Sequence, residues 1–190
     1  MNIRDWSSDV CSSDLAGRST IGAITDGDAS TFYSLGVGGT LSVDVSPRAL
    51  TGASVVEVTY GSPNDDYPES AELWLGGSIS GGTFDDTGAT LAARLFNDGT
   101  FTGASDIATT LGSDGASFSI DIDPNEGFSL ITLRDASIED FGDSYADSGI
   151  VSDGFDVGEF TVAAVPLPAS GSFLLAALLG AAMLRRRATA

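Results

Sequence analysis

Between Asp135 and Asp156 the chain places Asp135, Glu139, Asp140, Asp143, Asp147, Asp153 and Asp156 in one irregular, polar stretch. Calcium is bound by roughly six to eight converging oxygens, and a segment this acidic could wrap the ion and be fixed by it. The competing reading is a solvated acidic loop on an acidic protein. A second stretch, Asp121-Ile122-Asp123-Pro124-Asn125-Glu126-Gly127, starts like a D-x-D-x-N calcium loop. It then puts Glu126 where that loop needs glycine and Thr132 where it needs the bidentate glutamate. Alternation on both sides reads instead as strand, turn, strand. Aromatic rings offer a different chemistry. Trp74 and Tyr67, with Tyr33, Tyr60 and Tyr145 behind them, could stack on pyranose rings while acidic side chains accept hydroxyl hydrogens. Trp74 is the best placed, because its strand neighbours turn it away from the Leu73 and Leu75 face; a core tryptophan is the plainer reading.

Hydrolysis of a glycosidic bond would need two carboxylates roughly 5–9 Å apart, one of them with a raised pKa. Asp65 and Asp66 with Glu69, or Asp85 with Asp86, are formal candidates. In a chain this acidic some pair always presents itself, so the spacing carries no weight. Absent residues restrict catalysis further. The 190 residues include no histidine and no lysine, which removes His-based triads, imidazole zinc sites, Schiff bases and Walker lysines. The reading is of a protein that is not an enzyme.

These residues need a scaffold, and the pattern supplies strands. Thr40 to Val45 alternates with Leu41, Val43 and Val45 on one face. Ala53 to Tyr60 sets Val56, Val58 and Tyr60 against Val55, Glu57 and Thr59, and Ala71 to Leu75 turns Ala71, Leu73 and Leu75 inward. A Gly-rich connector (76–82) leads to a strand over 89–96, and a weakly patterned polar stretch follows to Gly115. Ser117 to Arg134 reads as a hairpin turning at Pro124-Asn125-Glu126-Gly127, and a last strand runs from Phe155 to Val162. Roughly eight or nine short strands without an amphipathic helix predict an all-β, two-sheet β-sandwich, jelly-roll-like, over residues 16–164. That span carries 24 of the 27 acidic residues against four of the eight arginines, a net of −20. So negative a surface repels nucleic acid and anionic lipid and favours solubility or divalent cations.

The C-terminal stretch is of another kind. Val165-Pro166-Leu167-Pro168-Ala169 is followed by a small-residue hinge, an uninterrupted apolar run over Phe173–Leu184, and Arg185, Arg186 and Arg187. At ~1.5 Å per residue the apolar run spans only ~18 Å; counting back to Val165 brings it to the roughly 20 residues a membrane span needs. Prolines are tolerated in a first helical turn. The predicted element is a single C-terminal transmembrane helix with the arginines on the cytoplasmic side. This tail, residues 165–190, resembles the VPLPA-type PEP-CTERM sorting signal. The resemblance implies an exported protein of a Gram-negative bacterium that makes extracellular polysaccharide. It implies Sec as the export machinery and an exosortase, a membrane protease-transpeptidase, as the partner that processes the tail. The anchor would then be transient and the mature protein at the cell surface or extracellular.

Residues 1–15 do not fit that picture. Asp5-Trp6-Ser7-Ser8-Asp9-Val10-Cys11-Ser12-Ser13-Asp14-Leu15 resembles the in-frame translation of a common sequencing-library adapter. The expectation is that this stretch is an artefact standing where a signal peptide belongs, that it forms no ordered element, and that Cys11 is not authentic. The function expected from all this is structural or adhesive, within extracellular polysaccharide and with no required cofactor. A calcium-dependent carbohydrate-binding module is the first alternative and a secreted carboxylate-dependent glycoside hydrolase the second.

Overall fold

Alternating apolar residues set the strands and choose the face that each one buries. The computed structural model describes residues 21–26, 31–58, 68–103, 107–112, 115–142 and 154–165, together with the backbone of 2–6. Its strands are β1 (Asn2–Trp6), β2 (Tyr33–Ser34), β3 (Thr40–Asp44), β4 (Leu50–Glu57), β5 (Ser70–Leu75), β6 (Ser78–Ser80), β7 (Thr83–Asp85), β8 (Thr90–Phe96), β9 (Phe101–Gly103), β10 (Ile107–Leu111), β11 (Ala116–Asp121), β12 (Leu130–Asp135) and β13 (Asp156–Ala164). One short helix, α1 (Ser137–Phe141), and 3-10 turns at Ile21–Thr25 and Pro124–Glu126 complete the described elements.

The strands form two antiparallel sheets, a six-stranded one in the order β1-β3-β12-β5-β8-β9 and a five-stranded one in the order β10-β11-β4-β13-β2, beside the small β6-β7 hairpin. Leu41, Val43, Leu73, Leu95, Ile131 and Leu133 from the first sheet meet Val55, Phe118, Ile120, Val157 and Phe160 from the second in one core. The two sheets therefore pack face to face as a β-sandwich. Glu57 shares the inward face of β4 with Ala53 and Val55 and is fully buried, its Oε2 accepting from the Ala116 N–H at 3.4 Å.

Two expectations are corrected here. The segment Ser117–Arg134 is not a hairpin: β11 pairs with β4 and β12 pairs with β3 and β5, so the connection crosses between sheets. Ile122 N–H still bonds the Thr51 carbonyl, Asp123 caps the 3-10 turn, and Leu50 and Val45 then donate to the carbonyls of Phe128 and Ser129. Alternation gives Ile120 and Leu133 an inward face without saying that they face each other from opposite layers. The other correction concerns the first residues. Asn2–Trp6 is a strand, paired antiparallel with β3 from Asn2 opposite Asp44 to Trp6 opposite Thr40. Without it β3 would have β12 on one side only, and an edge of unpaired N–H and C=O groups accepts extended backbone whatever its side chains.

Deleting residues 1–15 is expected to leave the sandwich folded. The described members of the core all lie at Ile24 or beyond, and β3 keeps β12. Thermal melts followed by circular dichroism should move by less than roughly 3 °C. Loss of a cooperative transition would make β1 an integral strand.

Candidate functional site

The outward face of the six-stranded sheet carries the densest polar cluster among the described residues. Glu72 lies on β5 with Arg94 of β8 directly opposite on one side and Arg134 of β12 directly opposite on the other. Odd-numbered Ala71, Leu73 and Leu75 are held in the core, so the even positions Glu72 and Trp74 must point outward. Glu72 nevertheless keeps only 4% of its side chain exposed. The two guanidiniums cover it: Arg94 donates to Oε1, and Arg134 donates to Oε2 through Nε at 2.9 Å and through its terminal nitrogen. Arg94 also bonds Asp140 of α1, whose second oxygen accepts from the Ser70 hydroxyl.

Trp74 completes the cluster. Its indole N–H donates to Glu72 Oε2 at 2.9 Å, the Arg134 guanidinium lies 5.2 Å from the ring centroid, and Phe84 of β7 meets the ring at 6.3 Å and 57°. A cation over an indole is favourable, more so where it is partly desolvated. Burial alone would raise the Glu72 carboxyl; the hydrogen bonds from Arg94, Trp74 and Arg134 outweigh it and hold the group below the ordinary glutamate range. Burial would likewise lower Arg94, and its bonds to Glu72 and Asp140 reverse the direction. A carboxylate held ionised by two guanidiniums is not a general acid at neutral pH. What the face offers a ligand is the partly exposed Trp74 ring; the exposed Asp86 and Glu139 lie against Arg134 and Arg94 at 3.7 and 3.4 Å.

Asp135 forms a second polar node. It is the last residue of β12 and 4% exposed, not the start of a solvated loop as its sequence context suggests. Its oxygens accept from Gly38 N–H at 2.9 Å, Phe155 N–H at 3.0 Å and the Ser137 hydroxyl at 2.7 Å. Two segments distant in sequence, at Gly38 and Phe155, and the start of α1 at Ser137 are tied to the end of β12 by one side chain. Burial raises the Asp135 carboxyl above its ordinary value, against the pull of those donors. Asparagine at 135 would set an amide N–H₂ against one of the donors. The expected cost is about 2–3 kcal/mol, from a buried donor left unsatisfied, and a urea midpoint reads it. The pH slope has a definite sign. With the native pKa above 3.8, the folded state binds more protons than the unfolded state over the window from 3.8 up to the native value. The contribution of Asp135 to stability therefore falls as pH rises through that window, and Asp135→Asn should lack this slope.

The proposed calcium ligands divide. Asp135 is committed to the node just described, Asp156 is buried in β13, and Asp140 and Glu139 turn to Arg94. Asp143, Asp147 and Asp153 lie outside the described residues, as does Tyr67. Among the described residues no group of three or more carboxylates is arranged to hold a metal ion. Of the sorting motif only Val165 is described: its N–H donates to the Ala49 carbonyl at 2.9 Å, and it is 37% exposed. Pro166, Leu167, Pro168 and Ala169, the apolar run 173–184 and Arg185, Arg186 and Arg187 lie outside. Among the described residues no helix is long and apolar enough to cross a membrane.

Sequence reasoning placed Trp74 outward and missed its surroundings. Arg94 and Arg134 carried a usable signal: in a domain with so few cations, an arginine at an outward strand position has acids around it. No protein-family model matches the chain, and no curated protein matches it in sequence.

Proposed function

We propose that this chain is an exported, acidic β-sandwich protein, delivered by Sec and sorted through a C-terminal signal of the PEP-CTERM type, with a structural or adhesive role in extracellular polysaccharide. One observation carries the reading. β13 closes the five-stranded sheet at Ala164, and the Val-Pro-Leu-Pro-Ala motif starts at the next residue. The last described strand and the proposed signal thus adjoin, the arrangement that release of a folded domain from a removable tail calls for. The jelly-roll-like reading is supported by β3 and β4, and again β11 and β12, being consecutive strands in opposite sheets. The tail is read as one transmembrane helix over 173–184, with Val165 to Ala169 at the outer membrane boundary, Arg185 to Arg187 on the cytoplasmic side and an exosortase as the partner. No cofactor is required and no catalytic role is assigned.

Intact mass of the native protein from membrane and extracellular fractions tests this. A mature chain ending between Val165 and Ala169 supports sorting and release. A chain that keeps Phe173 to Ala190 in every fraction reduces the tail to a simple anchor. A glycan-binding role has one observation in its favour, the partly exposed Trp74 ring on the outward face. Retention on an immobilised polysaccharide that Trp74→Ala abolishes supports it. Sensitivity of that retention to EDTA would add calcium.

A further inference from the structure

Strand β13 ends at Ala164, and the hydrogen bonding to the β4 side continues one residue further, into the first residue of the sorting motif. Its pairing with β4 runs from Val157 opposite Glu57, through Thr161 opposite Ser54 and Val162 opposite Ala53, to Ala164 opposite Leu50. Val165, the first residue of the motif, adds one more bond to Ala49. No residue lies between the last ladder position and the motif. On its other edge β13 is paired with β2 only at Asp156 and Val157, so among the described residues its C-terminal half is tied to the sheet through β4 alone. That half is also shallow: Thr161 and Ala163 are exposed, and Val162 and Ala164 are only partly buried.

A protease cleft takes its substrate as an extended strand, with backbone groups pairing to the enzyme. Residues just N-terminal of the motif must enter that cleft, and here their backbone bonds belong to β4. From this geometry we infer that β13 acts as a gate: processing of the tail requires the Thr161–Val165 end of the strand to peel from β4, so the folded sandwich itself sets the rate of its release. Strand ends open at far lower cost than core strands, and the shallow burial of Thr161 to Ala164 suits such local opening. An unfolded or half-folded domain would present the motif without that delay. The inference rests on the sorting reading, and its test separates the two.

The full chain, with a Sec signal peptide in place of residues 1–15, is expressed in an exosortase-bearing host, and tail removal is followed by pulse-chase. One variant carries a flexible Gly/Ser linker between Ala164 and Val165. A second carries Thr161→Cys with Ser54→Cys; these residues are directly opposite, and antiparallel neighbours lie within disulfide reach. A third combines both changes. The linker should speed removal by about tenfold, the equilibrium factor for relieving a modest local opening. The staple should slow it by a similar factor, and the linker should restore the stapled chain. Equal rates in all four chains would overturn the gate and leave sorting intact. No removal in any of them, the linker variant included, would overturn the sorting reading and the gate with it.

Discussion

A chain in which Arg185, Arg186 and Arg187 are replaced by glutamine is expected to keep its tail, with the processed form falling at least about tenfold. Arginine at the centre of a membrane helix costs roughly 2.5–3.5 kcal/mol on insertion scales, so in the proposed membrane-spanning tail three in succession would fix where translocation stops. The apolar run they follow, Phe173 to Leu184, is too short to hold its own register across the bilayer. Without the arginines such a segment would slide outward and carry Val165 to Ala169 away from the membrane-water boundary proposed for them. Replacing Pro166 and Pro168 by alanine should fail in a different way. Each proline removes a backbone donor, and each disfavours helical geometry in the residue before it, which in the proposed signal would favour an extended motif. With alanines the proposed tail helix would be free to continue backwards through the motif and close its backbone bonds against a protease. Immunoblots of membrane and extracellular fractions read both variants. Mature protein of unchanged size and amount from either one would sink the sorting signal.

How far the fold can be read from the sequence depends on what alternation encodes. Leu41 and Val43, or Leu73 and Leu75, state a face, and each of them is in the core. Alternation does not state a partner, which is why Ser117 to Arg134 looked like a hairpin although its halves lie in opposite layers. It also fails where both faces are wet. Residues 76–82 read as a glycine-rich connector, yet Ser78–Ser80 and Thr83–Asp85 pair as a small hairpin with Gly81 and Gly82 at φ 57° and 98° in its turn. β10, with Ala108 to Leu111 exposed, is likewise an edge strand that no apolar pattern announces. The polar cluster was half legible for the same reason. The outward direction of Glu72 and Trp74 follows from period two. That Arg94 and Arg134 sit opposite Glu72, 22 and 62 residues away in sequence, is a matter of register, which the buried faces of β5, β8 and β12 decide together. Asp135 was misread because an acidic context suggested solvent, where three backbone and hydroxyl donors had made a buried carboxylate acceptable.

Glu72→Gln should be the most damaging single substitution on the outward face. The carboxylate accepts from Arg94, Arg134 and the Trp74 indole with almost no access to water. An amide keeps the shape, loses the charge, and turns an N–H₂ towards a guanidinium. Both arginines remain and face each other across β5 without the carboxylate between them, Arg94 keeping Asp140 and Arg134 keeping only the looser contact with Asp86 at 3.7 Å. Breaking one side of a buried ion pair costs about 3–5 kcal/mol. The arginines here are 25% and 30% exposed and recover some solvation, so a loss of about 2–4 kcal/mol is expected, read as a lower urea midpoint. A purely steric role for Glu72 would predict almost no change. The pH dependence separates charge from shape. The native carboxyl sits below its ordinary value of 4.5, so the unfolded state binds more protons over the window beneath it. The stability that Glu72 contributes is complete above 4.5 and is lost as pH falls through the native value. The gap between the unmodified chain and Glu72→Gln should therefore be constant at neutral pH and narrow in acid. Arg134→Met offers the complementary test. It removes one of two cations and the ring contact with Trp74, leaves Arg94 on Glu72, and should cost less than Glu72→Gln while quenching or shifting Trp74 fluorescence. If Arg134→Met proves the more destabilising of the two, Glu72 is not the centre of the cluster, and the packing of Arg134 against the indole holds this face of the sheet instead.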